Sequence, residues 1–406
     1  MSHNKLLDPT VNKKIRVLML VRQFYPWIGG TEQQAQKLSI ALANKGVDIH
    51  VSTGWWFKDT PRFEFIDNLP INRNFTAWEM FGIRGLRKFG GYLYMLTLAN
   101  YLWRNRDNYD LIHIHGLNYH SIVGIVVGHW LGKKTLMKLA CGGAGSDIIK
   151  MKSNKFLYGT KQMLPLARTC DCVVAINEDI AAELVDYDFE STRIFCLPNG
   201  VVVPDKPAKR SHEKRCLRIV FVGRLHPQKG IDVLIEALGL LKQHYPELKW
   251  MIDILGKGNL LPELKERCEV LGIVDQVKFH GAVVNVNDYL ERADIFVLPS
   301  RAEGISNALL EAMALGLPCV ATCVSGNTTV VEHNKDALLV EPESPLALSK
   351  GLATLIEDES LRLKLGQAAR QKIEQSYSID AVAESYLELY EKMLTASNLV
   401  VYNNSM

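Results

Sequence analysis

The sequence predicts an α/β protein of two doubly wound parallel-sheet domains that face each other across a cleft. Three observations carry this. Short apolar runs alternate with stretches of helical period along most of the 406 residues. The alternation starts twice, once at Ile15 and again at Leu217. Between the two halves, Val201 to Arg215 holds Pro204, Pro207, several cations and no periodicity, and reads as a linker. A chain of this length suits two cores rather than one. The expected division is 1–201 and 202–380.

In the first half, Ile15 to Val21 is a buried strand running into a turn with Gly29-Gly30, then a helix from about Glu32 to Asn44 and a strand from Val47 to Ser52. Two adjacent glycines allow positive φ and close approach to a ligand, although the dinucleotide fingerprint Gly-x-Gly-x-x-Gly is absent. Taken alone, a plain tight turn explains Gly29-Gly30 as well as a ligand loop does. Trp55 to Tyr109 is less regular. Aromatics (Trp55, Trp56, Phe57, Phe81, Phe89, Tyr92, Tyr94, Trp103) interleave with Arg84, Arg87, Lys88, Arg104 and Arg106. Such a mixture suits a surface for anionic lipid headgroups. The plainer reading, favoured by the lack of a clean amphipathic register, is a helix with aromatics in the core and cations in solvent.

Leu111 to His115 is the next strand, followed by a helix from about Tyr119 to Leu131. Strand Lys134 to Leu139 leads into a loop from Cys141 through Ser146 to Asp147, rich in Gly and Ala. His113 and His115 are expected on opposite faces of their strand. His115, at the strand's end, is then the better site candidate, with a core histidine as the alternative. A strand Cys172 to Ile176, a helix capped by Asn177 and a strand Ile194 to Leu197 end this half at Pro198-Asn199-Gly200.

The second half begins with strand Leu217 to Val222 and the turn Gly223-Arg224-Leu225-His226-Pro227-Gln228-Lys229-Gly230, which opens a helix to His244. Two cations in one strand-to-helix turn suit a diphosphate, arginine as a bidentate fork and lysine as a point charge, although taken alone a pair of solvated surface cations is the simpler reading. Strands at 250–255, 277–280 and 295–298 alternate with helices at 261–271 and 286–292. Short strands at 320–322 and 337–340 and three helical runs, 346–356, 361–377 and 381–394, close the pattern before a frayed tail. The stretch from Pro299 to Pro318 organises this half. Glu303 and Gly304 lie on the loop after a strand, and Ser306 or Asn307 caps a helix containing Glu311. A helix start suits an anionic ligand, and the two carboxylates can grip hydroxyl-rich groups on either side of it. On spacing alone, two solvated carboxylates would be the simpler reading. The surrounding motifs reverse that.

Composition narrows the function classes. The chain is 48% hydrophobic and 22% charged, with a net charge of +3, too small to point to nucleic acid. The start, Met1 to Lys14, lacks the apolar core of a signal peptide. The longest apolar run, Ile122 to Val127, is far too short for a membrane span. The eight cysteines are scattered. Their close pairs, Cys170/Cys172 and Cys319/Cys323, lack zinc-finger and thioredoxin spacing. A reduced, cytoplasmic protein is expected.

With Gly29-Gly30, Asn199-Gly200, Gly223-Arg224…Lys229-Gly230 and Glu303-x7-Glu311 in this order, the chain resembles the retaining glycosyltransferases of family 4, whose two Rossmann-like domains form the GT-B fold. The resemblance spans nearly the whole chain and is strongest from Leu217 to Glu341. It implies a nucleoside-diphosphate sugar as co-substrate, carrying UDP or GDP, with no cofactor and no metal. Glu303 would hold hydroxyls of the transferred sugar and Glu311 those of the ribose. Arg224 and Lys229 would bind the diphosphate, aided by amides from Gly304 and Ile305 through Ser306, Asn307 and Ala308. Gly29, Gly30, Asn199 and Gly223 would line the donor site. The last helix, within 381–406, would cross back onto the first domain. Many members carry a histidine after the strand corresponding to Lys134–Leu139; here Ala140-Cys141-Gly142-Gly143 stands instead, and His115, Lys138 and Asp147 are the candidates to compensate. The implied acceptor is a saccharide or glycolipid of surface-polysaccharide synthesis, with peripheral contact at the inner membrane face. A small soluble acceptor, or an inactive partner subunit, is the alternative.

Overall fold

The computed structural model of the protein describes residues 14–26, 29–77, 87–140, 142, 146–153, 160–208 and 216–395. Of the positions singled out above, Phe81, Arg84, Cys141, Gly143, the end of the linker and the tail after Thr395 lie outside the described residues.

The N-terminal half runs β1 (Arg16–Val21), α1 (Gly30–Asn44), β2 (Asp48–Trp55), β3 (Phe63–Ile66), β4 (Leu69–Phe75), α2 (Arg87–Arg104) and β5 (Leu111–His115). It continues α3 (Tyr119–Trp130), β6 (Lys134–Leu139), α4 (Asp147–Ser153), α5 (Thr160–Ala167), β7 (Cys172–Ala175), α6 (Glu178–Asp186) and β8 (Ile194–Cys196). The C-terminal half runs β9 (Leu217–Val222), α7 (Ile231–His244), β10 (Trp250–Leu255), α8 (Leu261–Val270), β11 (Val277–Gly281), α9 (Asn287–Arg292), β12 (Ile295–Leu298) and α10 (Asn307–Ala314). Then come β13 (Cys319–Thr322), α11 (Ser325–Thr328), β14 (Leu338–Val340), α12 (Pro345–Glu357), α13 (Glu359–Lys372) and α14 (Ile379–Thr395).

Two sheets result. The first has strand order β3-β4-β2-β1-β5-β6-β7-β8, and the second β11-β10-β9-β12-β13-β14. All pairings are parallel except β3 with β4. Strand order reverses at β1/β5 in the first sheet and at β9/β12 in the second, and ligands of such sheets bind beyond the carboxyl ends at these points. Central strands such as Val17–Val21 and Ile295–Leu298 are buried on both faces, as continuous apolar runs under helices must be.

Three features differ from the sequence reading. Within the stretch from Trp55 to Tyr109 the described residues form regular elements: β3 and β4 make a hairpin through Asp67 and Asn68, both with positive φ, and α2 begins at Arg87. Polar residues inside β4 and the glycines of α2 hide these elements from a periodicity count. α4 and α5 fill the interval after the Gly/Ala loop. The long run expected at 361–377 is α13 followed by a π-helical turn, Ile373–Tyr377.

α14 leaves the second domain and packs on the first. Val382, Ala383, Tyr386, Leu389, Tyr390 and Met393 share one apolar cluster with Val17, Met19, Leu38 and Leu42. The crossing is pinned where the chain first changes domain. Val201 N donates to Tyr377 O at 2.9 Å, and Ile379 N donates to Val201 O at 2.8 Å.

Candidate active site

The loop after β12 is built by close backbone contacts. Gly230 takes a left-handed φ of 61°, and a Cβ there would lie 2.0 Å from Pro299 O. Gln228 Nε2 donates to Ala302 O at 3.2 Å, and Arg301 N donates to Gln228 O at 2.9 Å. These bonds hold the turn after β9 against the loop. They bring Lys229 Nζ to 2.5 Å from Glu303 Oε1, an oxygen that also accepts from Ser300 Oγ at 2.5 Å. The Glu303 side chain is only 7% exposed and Lys229's 17%. A pair this sheltered is rigid, and no described donor occupies Glu303 Oε2. Arg224, at the start of the same turn, is exposed and has no side-chain partner among the described residues.

Gly304 is where the two domains touch. A Cβ on it would stand 2.3 Å from Ala140 O at the end of β6, and its own carbonyl accepts from Asn177 Nδ2 at 3.1 Å. On its other side, a Cβ on Gly326 would lie 1.9 Å from Gly304 O. Ile305 is buried. Ser306 is the helix cap, its Oγ accepting from Leu309 N at 3.4 Å. The start of α10 thus points its free amides into the crevice beside Lys229 and Glu303. Ala308 packs against the core of the same layer.

Asn307 is fully engaged by the opposite domain. Its Oδ1 accepts from Gln34 Nε2 and from Asn199 Nδ2, both at 3.1 Å, and its Nδ2 donates to Gly30 O at 3.2 Å. Gln34 also bonds Gly200 in both directions, Nε2 to Gly200 O at 2.9 Å and Gly200 N to Oε1 at 3.2 Å. One turn along α1, Lys37 Nζ sits 2.7 Å from Glu311 Oε1. Gly29 caps α1 in extended conformation, and Gly30 opens it under Asn307. Gly29, Gly30, Asn199, Gly304, Asn307 and Glu311 are therefore gathered at one seam. Gly223, just after β9, lies beside Lys229 instead: a Cβ on it would stand 3.7 Å from Lys229 Cδ, and one on Gly256 would meet Gly223 O at 1.8 Å.

Two of the three compensating candidates, His115 and Lys138, lie elsewhere. His113 and His115 share a face rather than opposing each other, because residues two apart on a strand point the same way. Their rings stack at 4.5 Å and 9°. His113 Nδ1 is 2.6 Å from the Tyr390 hydroxyl, and His115 Nε2 is 3.1 Å from Met19 Sδ. The site candidate His115 is thus sealed between the first sheet and α14, where burial, and next the Lys138 charge, push its imidazole well below the usual range. Lys138 is paired in register with His115. Its ammonium lies 5.4 Å from the Tyr386 ring, and burial lowers it to about 7. Asp147 opens α4 near Gly116, at the end of β5. Sequence reasoning missed Gln34, Lys37, Asn177 and Ser300. The spacing of Gln34 and Lys37, one turn apart on the helix opened by Gly29-Gly30, is the signal that could have found two of them.

Comparison with known proteins agrees with this geometry. A model of "Glycosyltransferase Family 4" matches residues 28–203, and one of "Glycosyl transferases group 1" matches 203–372. Among sequence relatives, an uncharacterized glycosyltransferase of Methanocaldococcus jannaschii is 25% identical over 93% of this chain and 98% of its own. The D-inositol 3-phosphate glycosyltransferase of Jonesia denitrificans is 25% identical over 91% and 93%. Among solved structures, HepE of Anabaena in complex with UDP superposes with a TM-score of 0.72 at 18% identity, over 93% of this chain and all of that one. The two facing domains, with a cleft at both switch points, define a GT-B glycosyltransferase. The chain belongs to glycosyltransferase family 4, its second domain being of the group 1 type.

Proposed function

We propose that the protein moves a hexosyl unit from a UDP- or GDP-sugar to a hydroxylated acceptor with retention of configuration and without a metal. The bond from the anomeric carbon to the diphosphate breaks as the acceptor oxygen bonds to that carbon from the same face. The acceptor's proton passes to the departing diphosphate oxygen. Lys229, Arg224 and the start of α10 stabilise the charge that develops there. Glu303, fixed by Lys229 and Ser300, offers Oε2 to the sugar, and Glu311 takes the ribose. Gly29 and Gly30 close the site from the first domain.

The observation that carries this reading is the convergence of Lys229, Ser300 and Glu303 beside a free helix start. Lys229→Ala and Glu303→Ala are each expected to lower transfer or donor hydrolysis by ~10²-fold or more. Full activity in both variants would refute the roles. Transfer insensitive to EDTA tests the metal-free reading.

For the acceptor, a growing saccharide or glycolipid at the inner membrane face is the reading we favour. Helix α2 has no acidic residue and leaves Tyr92, Leu96 and Trp103 exposed, with Trp130 exposed on neighbouring α3. That face suits peripheral contact with anionic lipid. Flotation with anionic vesicles that weakens with salt supports it, and absence of binding leaves a soluble acceptor.

A further inference from the structure

Arg22 follows β1 at the switch point of the first sheet, on the first domain's side of the cleft. Its backbone is fixed: its carbonyl accepts from Trp56 Nε1 at 2.6 Å and from Gly54 N at 3.4 Å. Its guanidinium is held between two rings, 5.5 Å from the centroid of Tyr119 and 5.9 Å from that of Trp56. Stacking of this kind orients a guanidinium, the Tyr119 hydroxyl also hydrogen-bonds it, and Nε is left over as a donor. Among the described residues no carboxylate forms an ion pair with it. Glu32, in the first turn of α1, feels the Arg22 charge without pairing, while burial holds its carboxyl above the usual range.

Around this cation lie polar atoms with nothing to bond. Arg22 Nε, the Tyr94 hydroxyl and His120 Nδ1 are all buried and without a partner. Tyr94 packs edge-on against both Tyr119, at 5.9 Å, and Trp56, at 5.4 Å, so these groups form one cluster. His120 Nε2 meets His115 O at 3.1 Å, which leaves Nδ1 as a lone-pair acceptor on a neutral ring; burial lowers that imidazole to about 3. Buried polar atoms are ordinarily paired with protein, water or a ligand, and here three lie beside one cation. The cluster offers a cation and a hydroxyl donor to an anion, and one acceptor to a hydroxyl.

We infer that Arg22, flanked by Tyr94, Tyr119 and His120, is a subsite for the phosphate group of a hydroxylated acceptor. This rests on the transferase reading above. The phosphate comes either from a soluble sugar phosphate or from a lipid-linked sugar diphosphate, and the test separates the two.

The full chain is titrated calorimetrically with UDP, then, UDP-saturated, with glucose, glucose 6-phosphate and inorganic phosphate, and separately with nanodiscs carrying a polyprenyl diphosphate sugar. A phosphorylated ligand of either source is expected to bind at least ~10-fold tighter than its neutral counterpart. Arg22→Gln should remove that discrimination and leave UDP affinity unchanged, Arg22→Lys should keep part of it, and Tyr94→Phe should weaken it about threefold. Melting curves confirm that each variant is folded. Equal binding of neutral and phosphorylated ligands, or discrimination retained in Arg22→Gln, overturns the inference. Loss of UDP binding in the unmodified chain overturns the donor reading instead.

Discussion

Asn307→Ala removes the side chain on which the two domains meet in the closed form. Three hydrogen bonds go with it, to Gln34, Asn199 and Gly30. Each contributes on the order of 1 kcal/mol net. Gln34 and Asn199 are each 4% exposed, so water replaces the lost partner poorly. The Asn199 Oδ1 is already without a partner. A total of about 2–3 kcal/mol should fall mainly on the equilibrium between closed and open domains. The neighbouring Lys37–Glu311 pair, partly exposed, adds at most about 1 kcal/mol to what remains. A shift of that size changes the closed-to-open ratio by roughly 10²-fold. Small-angle scattering without ligand should report a larger radius of gyration for the variant, restored by saturating UDP. A double-mutant cycle with Gln34→Ala should show a coupling of about 0.5–1.5 kcal/mol in melting or denaturant unfolding. An unchanged scattering profile together with strict additivity in the cycle would refute the clasp.

Gly304→Ala would drive a methyl group into Ala140 O, 2.3 Å away, so the seam must open; steady-state assays should show kcat falling at least ~10-fold with the fold intact by circular dichroism. Tyr390→Phe leaves buried His113 Nδ1 without its hydroxyl partner, and denaturant unfolding should report a loss of about 1–2 kcal/mol as α14 loosens. His113, His115 and His120 are held neutral by burial, their folded pKa values lying below the unfolded one. Their stabilising share is therefore complete above pH ~6.5 and lost as pH falls, at up to ~1.4 kcal/mol per pH unit for each. Melting temperatures between pH 7 and 5 should drop steeply, and less so in His120→Asn; parallel curves would exclude that cause.

Much of the architecture was legible because parallel strands covered on both faces must be short apolar runs, and the restart at Leu217 marks a second set. Lys229, Glu303 and Gly304 were legible too: a cation in one strand-to-helix turn and a carboxylate in another can meet only if the strands are neighbours, as β9 and β12 are. What stayed hidden depends on three-dimensional pairing. Lys37 and Glu311 are 274 positions apart, and nothing local links them. Likewise, only assembly shows that His115 turns toward Met19 and α14. The hairpin of β3 and β4 was obscured by Asn72, Arg73 and Asn74, polar residues whose needs are met by cross-strand and loop partners such as the Pro61 and Tyr25 carbonyls.

The chain changes domain twice, and both passages run side by side at Val201 and Ser378, tied by two backbone hydrogen bonds. A body hung on two adjacent straps can swing about the line through them but resists twisting or sliding apart. Opening should accordingly be a rotation about one axis near that point, with the Asn307 seam as the travelling edge. Cutting the chain at residue 378 would also strip the first domain of the cover over Val17, Met19 and Leu38. An isolated first domain should then aggregate, and adding α14 as a separate peptide should restore its solubility.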